Sequence, residues 1–256
     1  MNSIEKSIEV LNCLSHKERA VGVTELSLEL LFPKSTIHRI LTILSKYSLV
    51  EKESETSRYK LGLQVLEYSK SFYDSFDIRQ TARPILKDIC RDTNLTTHLT
   101  TWYNEKGICI DSITASQRTN TNLFVEIGKE MPFNCSASAK VILAYQSPKE
   151  IKRIIYEKEF HKYTPKTIID PNKLENHLIE IKRKGFAICD EELEVGIKAI
   201  SAPVRNINNE VISSITITGM SKQLDRKNAE KFTSILVNSA RELSRVLGYR
   251  NKNRFN

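Results

Sequence analysis

The sequence has few glycines and none of the common catalytic motifs. Only 8 glycines occur in 256 residues, and they form no glycine-rich loop of the kind that cradles nucleotide phosphates. The hydrolase motif G-x-S-x-G and the zinc-protease motif H-E-x-x-H are both absent. We therefore predict no catalytic residue, no metal and no cofactor.

Long apolar runs are also missing. No run reaches the about 18 apolar residues that a transmembrane helix needs, and the N-terminus has no apolar signal core. We expect a cytoplasmic protein without a membrane partner.

Cysteines are few and do not occur in pairs. They are odd in number, widely spaced and never part of a C-x-x-C motif, so we expect reduced and mostly buried thiols. The cysteines are Cys13, Cys90, Cys109, Cys135 and Cys189. A thiol enzyme that uses Cys135 or Cys189 with His98 or His161 remains an alternative.

The net charge of +8 says little about nucleic acid, because its distribution is uneven. Residues 1–70 hold ten Lys and Arg against nine acidic residues. The local sign is more informative, because the stretch from Leu30 to Val50 contains three basic residues and no acid. These residues are Lys34, Arg39 and Lys46.

The stretch from Pro33 to Ser48 predicts an amphipathic helix that begins at Pro33. Its apolar residues recur at helical spacing and are Ile37, Ile40, Leu41 and Leu44. Its first turns carry the polar residues Lys34, Ser35, Thr36, His38 and Arg39. The plain alternative is an ordinary surface helix with a solvated first turn.

The neighbouring segments favour a DNA-binding motif over that alternative. Helices are predicted over Met1 to Ser15 and from Val23 to about Leu31, with Thr24 as the N-cap of the second. Two short strands around Val50 and Tyr59 follow the third helix. Helix, short helix, helix and hairpin is the order of a winged helix-turn-helix, which inserts its last helix into the DNA major groove.

The rest of the chain predicts an α+β domain with a mostly antiparallel sheet, of the GAF or PAS type. Alternating segments predict strands over 97–101, 108–113, 123–127, 186–189, 197–204 and 211–218. Helices are predicted over 78–93, 136–145, from Pro148, from Pro171 to Gly185 and over 225–247. The predicted domains are 1–64 (winged helix-turn-helix), 65–76 (connector helix), 77–250 (effector-binding) and 251–256 (disordered basic tail).

Four N-terminal segments resemble the DNA-binding domain of the IclR family of bacterial transcriptional regulators. They are SIEKSIEVL (3–11), VTEL (23–26), PKSTIHRIL (33–41) and RYKLG (58–62). One departure is Leu31, where the family usually has glycine in the turn. The DNA contacts expected from this resemblance are Ser35, Thr36 and His38 to base edges, Lys34, Arg39, Arg58 and Lys60 to phosphates, and Thr24.

Three C-terminal segments resemble the effector-binding domain of the same family. They are residues 128–144, 190–204 and 214–219. The resemblance implies a pocket formed by Leu123, Met131 and Ala199, the backbone N–H groups of Ala137 and Ser138, Asp190 or its neighbour Cys189, and the hydroxyls of Thr216 and Thr218. Ordinary strand propensity is the alternative explanation for the two threonines.

The chemistry of these residues favours a small polar or anionic ligand. N–H groups at the start of a helix suit a carboxylate, and Thr216 and Thr218 lie on the same face of a strand. The acidic cluster around Glu192, from Asp190 to Glu194, is predicted to be a solvated loop and not a metal site.

The leading hypothesis is a ligand-responsive transcriptional regulator that binds double-stranded DNA as a homodimer or a dimer of dimers and senses a carboxylic acid. The alternative is a small-molecule-binding or thiol-dependent enzyme whose N-terminal domain is a protein-interaction module. An RNA-binding regulator would need an aromatic stacking platform, which the sequence lacks.

Overall fold

The computed structural model describes residues 1–74, 77–115 and 125–249. Its internal contacts divide the chain into two units, Met1–Phe76 and Asp77–Asn256. Leu123 and the tail 251–256 lie outside the described residues. Among the helices of the described ranges, none is long and apolar enough to cross a membrane.

The first unit has the predicted order of helices and strands. Its elements are α1 (Ser3–Ser15), α2 (Val23–Leu30), α3 (Lys34–Lys46), β1 (Val50–Lys52), β2 (Tyr59–Leu61) and α4 (Gln64–Asp74). Strands β1 and β2 pair as an antiparallel hairpin. The predicted winged helix-turn-helix arrangement is therefore confirmed.

Three details of the helix-turn-helix segment differ from, or add to, the sequence prediction. The N-cap of α2 is Gly22, so Thr24 lies in the first turn and does not cap the helix. Pro33 is the N-cap of α3 and precedes its first helical residue. Leu31 adopts the left-handed conformation, with φ 56° and ψ 33°. The turn thus keeps the backbone that favours glycine, although its residue is leucine.

The core of the first unit lies between the three motif helices and the hairpin. It contains Val10, Leu14, Val21, Leu26, Ile37, Ile40, Leu41, Leu44, Val50 and Tyr59. Backbone hydrogen bonds of 2.8 Å in both directions between Val21 and Tyr59 attach the hairpin to the segment before α2. Because the apolar face of α3 is directed into this core, its polar face is directed outward.

In the second unit, the described residues form one six-stranded sheet, and every neighbouring pair of strands in it is antiparallel. The strands are β3 (Thr96–Tyr103), β4 (Lys106–Ile113), β5 (Glu130–Met131), β6 (Ala187–Asp190), β7 (Ile197–Arg205) and β8 (Val211–Met220), in the order β5-β4-β3-β8-β7-β6. The helices are α5 (Asp77–Thr93), α6 (Ala137–Leu143), α7 (Pro148–Glu157), α8 (Pro171–Lys184) and α9 (Arg226–Val246).

Most element boundaries of the second unit follow from local signals. Ser136, Ser147, Asp170 and Asp225 cap the four helices that follow them. Asn104 and Glu105 both have positive φ, which gives the two-residue turn between β3 and β4 its twist. The strand predicted over 123–127 is wrong for its described part, because Val125 to Ile127 lie in a loop and turn.

The two faces of the sheet are covered by different helices. Ser214 donates to the carbonyl of Ser138 in α6 at 3.1 Å, whereas Asp111 receives a 2.6 Å hydrogen bond from Arg83 in α5. Strand alternation sets Ser214, Thr216 and Thr218 on the side of α6. On this side, the register places His98 directly opposite Thr216.

Candidate DNA interface and effector cavity

The polar end of α3 is exposed within the first unit. Lys34, Ser35, His38 and Arg39 are all exposed, and Thr36 is half-buried. The apolar residues of the same helix are buried, from Ile37 at 0% to Leu44 at 7% exposure. The predicted recognition face is therefore available for contact with another molecule.

This face of α3 is also positively charged. Its first turn contains no acidic residue. Across the described ranges, neither Lys34 nor Arg39 forms an ion pair. Both cations are free to neutralise phosphate groups.

The basic residues of the hairpin are less free than the sequence suggested. The Arg58 guanidinium donates to the carbonyl of Ala20 at 3.4 Å, and Lys60 Nζ lies 3.8 Å from Glu51 Oε1 across the hairpin. Glu53 and Glu55 lie at the tip between the strands. The basic charge of this unit is thus clearest on α3.

Two further polar residues lie on exposed parts of the motif. Thr24 is exposed in the first turn of α2. Thr42, which was missed, is exposed one turn after His38 and donates its hydroxyl to the His38 carbonyl at 2.8 Å. Its i+4 spacing from His38 was the signal that could have identified it.

A small, partly open cavity lies between the sheet and α6 in the second unit. The predicted residues that line it together are Met131, Ala137, Ser138, Cys189, Ala199, Thr216 and Thr218. The lining residues that were missed are His98, Val125, Ser136, Leu193, Glu194 and Ile197. Segments far apart in sequence thus meet around one small space.

Asp190 does not belong to this cavity. Strand β6 alternates between buried and exposed residues, so Cys189 faces inward and Asp190 outward. Asp190 lies 3.4 Å from Lys198 Nζ on the outer side. Inside, the Cys189 thiol donates to the carbonyl of Cys135 at 2.8 Å. Of the two alternatives that the sequence left open, Cys189 is the one that lines the cavity.

The cavity offers several polar groups with defined hydrogen bonds. Ser136 Oγ accepts from the Ala139 N–H at 3.1 Å, which caps α6 and leaves Ala137 and Ser138 in its first turn. Thr216 donates its hydroxyl to Ser201 Oγ at 2.8 Å. Because that donor is used, Thr216 has acceptor capacity left for a ligand.

His98 is the most unusual lining residue. It is 1% exposed, and burial lowers its pKa to about 3, so the ring is neutral near pH 7. Within the part of the chain that the structure describes, neither ring nitrogen has a hydrogen-bond partner. Strand alternation places His98 on the same face as Thr100, and this was the only signal for its position.

The geometry does not support a thiol enzyme. Burial raises the pKa of Cys189, and the pKa of Cys135 is raised for the same reason. The reactive form of cysteine is the thiolate, which these environments disfavour. His161 is exposed and lines no part of the cavity.

The acidic cluster after β6 is not a purely solvated loop, which corrects the sequence prediction. Glu192 is buried, and its two carboxylate oxygens lie 2.7 and 2.8 Å from Nζ of the fully buried Lys140. Among the described residues, no group of three or more His, Cys, Asp or Glu side chains could hold a metal ion. The ion pair between Lys140 and Glu192 therefore connects α6 to the loop after β6.

Two family models match the sequence. The IclR helix-turn-helix domain matches residues 3–54, and the bacterial transcriptional regulator IclR C-terminal model matches residues 70–245. The chain belongs to the IclR family. As an IclR-family member it is a ligand-responsive transcriptional regulator with a helix-turn-helix domain and an effector-binding domain, and it is not an enzyme.

Known members of the IclR family match almost the whole chain. The HTH-type transcriptional regulator XynR of Escherichia coli is 26% identical over 249 residues, 97% of this chain and 98% of XynR. The crystal structure of Thermotoga maritima IclR is 28% identical, with a TM-score of 0.78 over 97% of this chain and 100% of that one.

A more distant structure shares the fold. It is an IclR homologue from Microbacterium hydrocarbonoxydans complexed with 4-hydroxybenzoate, with 19% identity and a TM-score of 0.83 over 96% of this chain and 99% of that chain.

Proposed function

We propose that this IclR regulator binds operator DNA through the exposed face of α3 and that a small organic acid in the cavity beneath α6 controls this binding. The observation that carries the proposal is the cavity itself, which is lined by polar groups from α6, β3 and β8 together with apolar side chains. A mostly apolar cavity with a few placed polar groups is the usual form of a small-molecule site.

The exposed residues of α3 have the chemistry needed for both parts of DNA recognition. Ser35, Thr36 and His38 can hydrogen-bond to base edges in the major groove, while Lys34 and Arg39 contact phosphates. Arg58, Lys60 and Thr24 would contact DNA at the edge of the surface that α3 covers. Arg58 and Lys60 would first have to leave their partners Ala20 and Glu51.

A homodimer or a dimer of dimers is the form that we propose for DNA binding. A single winged helix offers few base contacts, and two copies would recognise two half-sites with far greater specificity. Helix α1 also leaves Ile4 72% and Ile8 50% exposed, one turn apart on the same face. A second copy could cover this apolar surface. A regulator of bacterial operators would act in the cytoplasm.

A carboxylate is the proposed common group of the effector. The N–H groups of Ala137 and Ser138 lie in the first turn of α6, where N–H groups have no acceptor within the helix itself. Thr216 and Thr218 line the same cavity from the sheet. The complex of a family member with 4-hydroxybenzoate is consistent with a small acid in this fold.

The effector can change DNA affinity only if it binds one state of the protein better than another. The test begins with selection of duplex DNA from a random library by the purified full-length protein. The selected duplex is then titrated by fluorescence anisotropy with and without a panel of organic acids. We expect a two-fold symmetric consensus and at least one acid that shifts the midpoint. No selected sequence, or no shift with any acid, would refute the respective half of the proposal.

A further inference from the structure

His98 is a buried polar side chain whose hydrogen-bonding capacity is unused. It lies in β3, between β4 and β8, and its ring contributes to the cavity wall. Within the described ranges, both ring nitrogens lack a partner although the residue is 1% exposed. Native proteins nearly always satisfy buried polar groups, so an unsatisfied imidazole that lines a cavity points to an occupant.

The nearest polar side chains on this face of the sheet leave His98 unpaired, because Thr216 directs its hydroxyl elsewhere and the Thr100 hydroxyl is itself without a partner among the described residues. Thr216, directly opposite on β8, donates to Ser201 Oγ at 2.8 Å, and Ser201 donates to the carbonyl of Ile215 at 3.3 Å. This chain of donors runs away from the imidazole. A group inside the cavity, which the ring lines, is positioned to complete His98.

The charge of the cavity wall indicates which group this is. Among the described residues that line the cavity, Glu194 is the acidic one and no Lys or Arg is present. If the effector placed a second carboxylate of its own beside the neutral His98 ring, that carboxylate would be a buried negative charge without a cation. A hydroxyl group adds no charge, and it can donate to one ring nitrogen or accept from the other.

We propose that His98 is a specificity-determining residue of the effector cavity and that it hydrogen-bonds a hydroxyl group of the effector. The preferred effector is then a hydroxylated monocarboxylic acid. This inference rests on the proposed function of the cavity as the effector site and narrows its ligand class.

The test uses pairs of acids that differ by one hydroxyl group, with the full-length protein in calorimetric titrations at pH 7. The pairs are benzoate and 4-hydroxybenzoate, acetate and glycolate, propionate and lactate, and butyrate and 3-hydroxybutyrate. A buried hydrogen bond to a hydroxyl should favour the hydroxylated member by roughly 5- to 100-fold in at least one pair. In His98→Phe, this ratio should fall to about 2-fold or less.

Two further variants and the melting temperature of His98→Phe separate recognition from structural effects. His98→Gln retains a donor and an acceptor, so it should keep part of the preference. Thr97→Val changes the neighbouring residue on the opposite face of β3, and the wild-type ratio should persist. Because His98 forms no hydrogen bond with any described residue, His98→Phe should melt within about 2 °C of the wild type or above it. A markedly lower melting temperature in both His98 variants would identify a structural role and overturn the inference.

The outcomes distinguish this inference from the proposed function. If the wild type binds acids but shows no preference within any pair, or if His98→Phe keeps the preference, the inference is wrong and the effector site stands. If no acid in the panel binds, the proposed effector class and this inference both fail, and DNA binding by α3 is unaffected.

Discussion

Lys140 and Glu192 form a two-point ion pair inside the effector-binding unit. Lys140 Nζ lies 2.7 and 2.8 Å from the two carboxylate oxygens of Glu192, 52 residues further along the chain. The lysine is fully buried and lies in α6, two residues after the cavity-lining Ser138. This ion pair connects the helix that forms one wall of the cavity to the loop that contributes Leu193 and Glu194.

Removal of one partner of this pair should be costly. Lys140→Met leaves the Glu192 carboxylate buried without its cation, so the free energy of unfolding should fall by about 3 kcal/mol in urea denaturation. The double variant Lys140→Met with Glu192→Leu removes both charges and should recover most of that loss. Equal destabilisation in the single and double variants would show that the ion pair does not determine the effect.

Arg39 should contribute to DNA affinity without selecting a sequence. Its side chain is exposed on α3 and contacts phosphates in our proposal, so Arg39→Ala should weaken binding to specific and random duplexes alike. The slope of log K against log salt should become shallower by about 0.9. Arg226→Ala, in the second unit, is the matched control. A salt slope that does not change would exclude a phosphate contact by Arg39.

Thr216 should affect the ligand response and not DNA binding. Thr216→Val keeps the side-chain shape and removes the hydroxyl that accepts from a ligand, so effector affinity should fall by about 10-fold. DNA binding without effector, measured by anisotropy, should be unchanged. Loss of DNA binding in this variant would mean that Thr216 is a structural residue.

Stability should fall on acidification because of His98. The pKa of His98 is about 3 in the folded protein and 6.5 for an ordinary histidine, as in the unfolded chain. Between pH 3 and pH 6.5 the unfolded chain therefore binds the proton more tightly than the folded protein does. Folding stability is therefore lost as pH falls through this range, by about 2 kcal/mol at pH 5. Two other titratable groups of the cavity wall, Cys189 and Glu194, are present in both the wild type and the His98 variant, so they do not account for a difference between the two proteins.

The comparison of wild type with His98→Phe isolates this contribution. His177, whose pKa burial lowers to about 4, acts in the same direction and is present in both proteins. We expect urea denaturation between pH 7 and pH 5 to show a smaller loss of stability for His98→Phe. Parallel pH profiles would contradict a buried neutral imidazole.

Leu31 should carry a local conformational cost. Its φ of 56° is unfavourable for leucine, and its side chain is 87% exposed, so packing offers little compensation. Leu31→Gly should stabilise the first unit by about 1 kcal/mol or somewhat less, because glycine also gains freedom in the unfolded chain. Native-state hydrogen exchange of the α3 amides measures this change. Faster exchange in the variant would mean that the leucine side chain stabilises the turn.

Short-range patterns in the sequence were sufficient for most secondary structure. The apolar spacing of α3 predicted both its buried face and its exposed polar end. Caps such as Asp170 and Gly185 predicted the ends of α8, because capping depends on residues within one turn. Strand alternation likewise assigned Thr216 and Thr218 to one face before their neighbours were known.

Only the tertiary structure decided which side chains meet. Cys189 and not Asp190 lines the cavity, because the register of β6 against β7 determines which residue faces α6. Arg58 reaches Ala20 and Lys140 reaches Glu192 across 38 and 52 residues of sequence. That His98 has no partner among the described residues likewise depends on what β4 and β8 place beside it. Local periodicity determines which face a residue occupies, but partners across a sheet depend on strand order and register, which no short segment specifies.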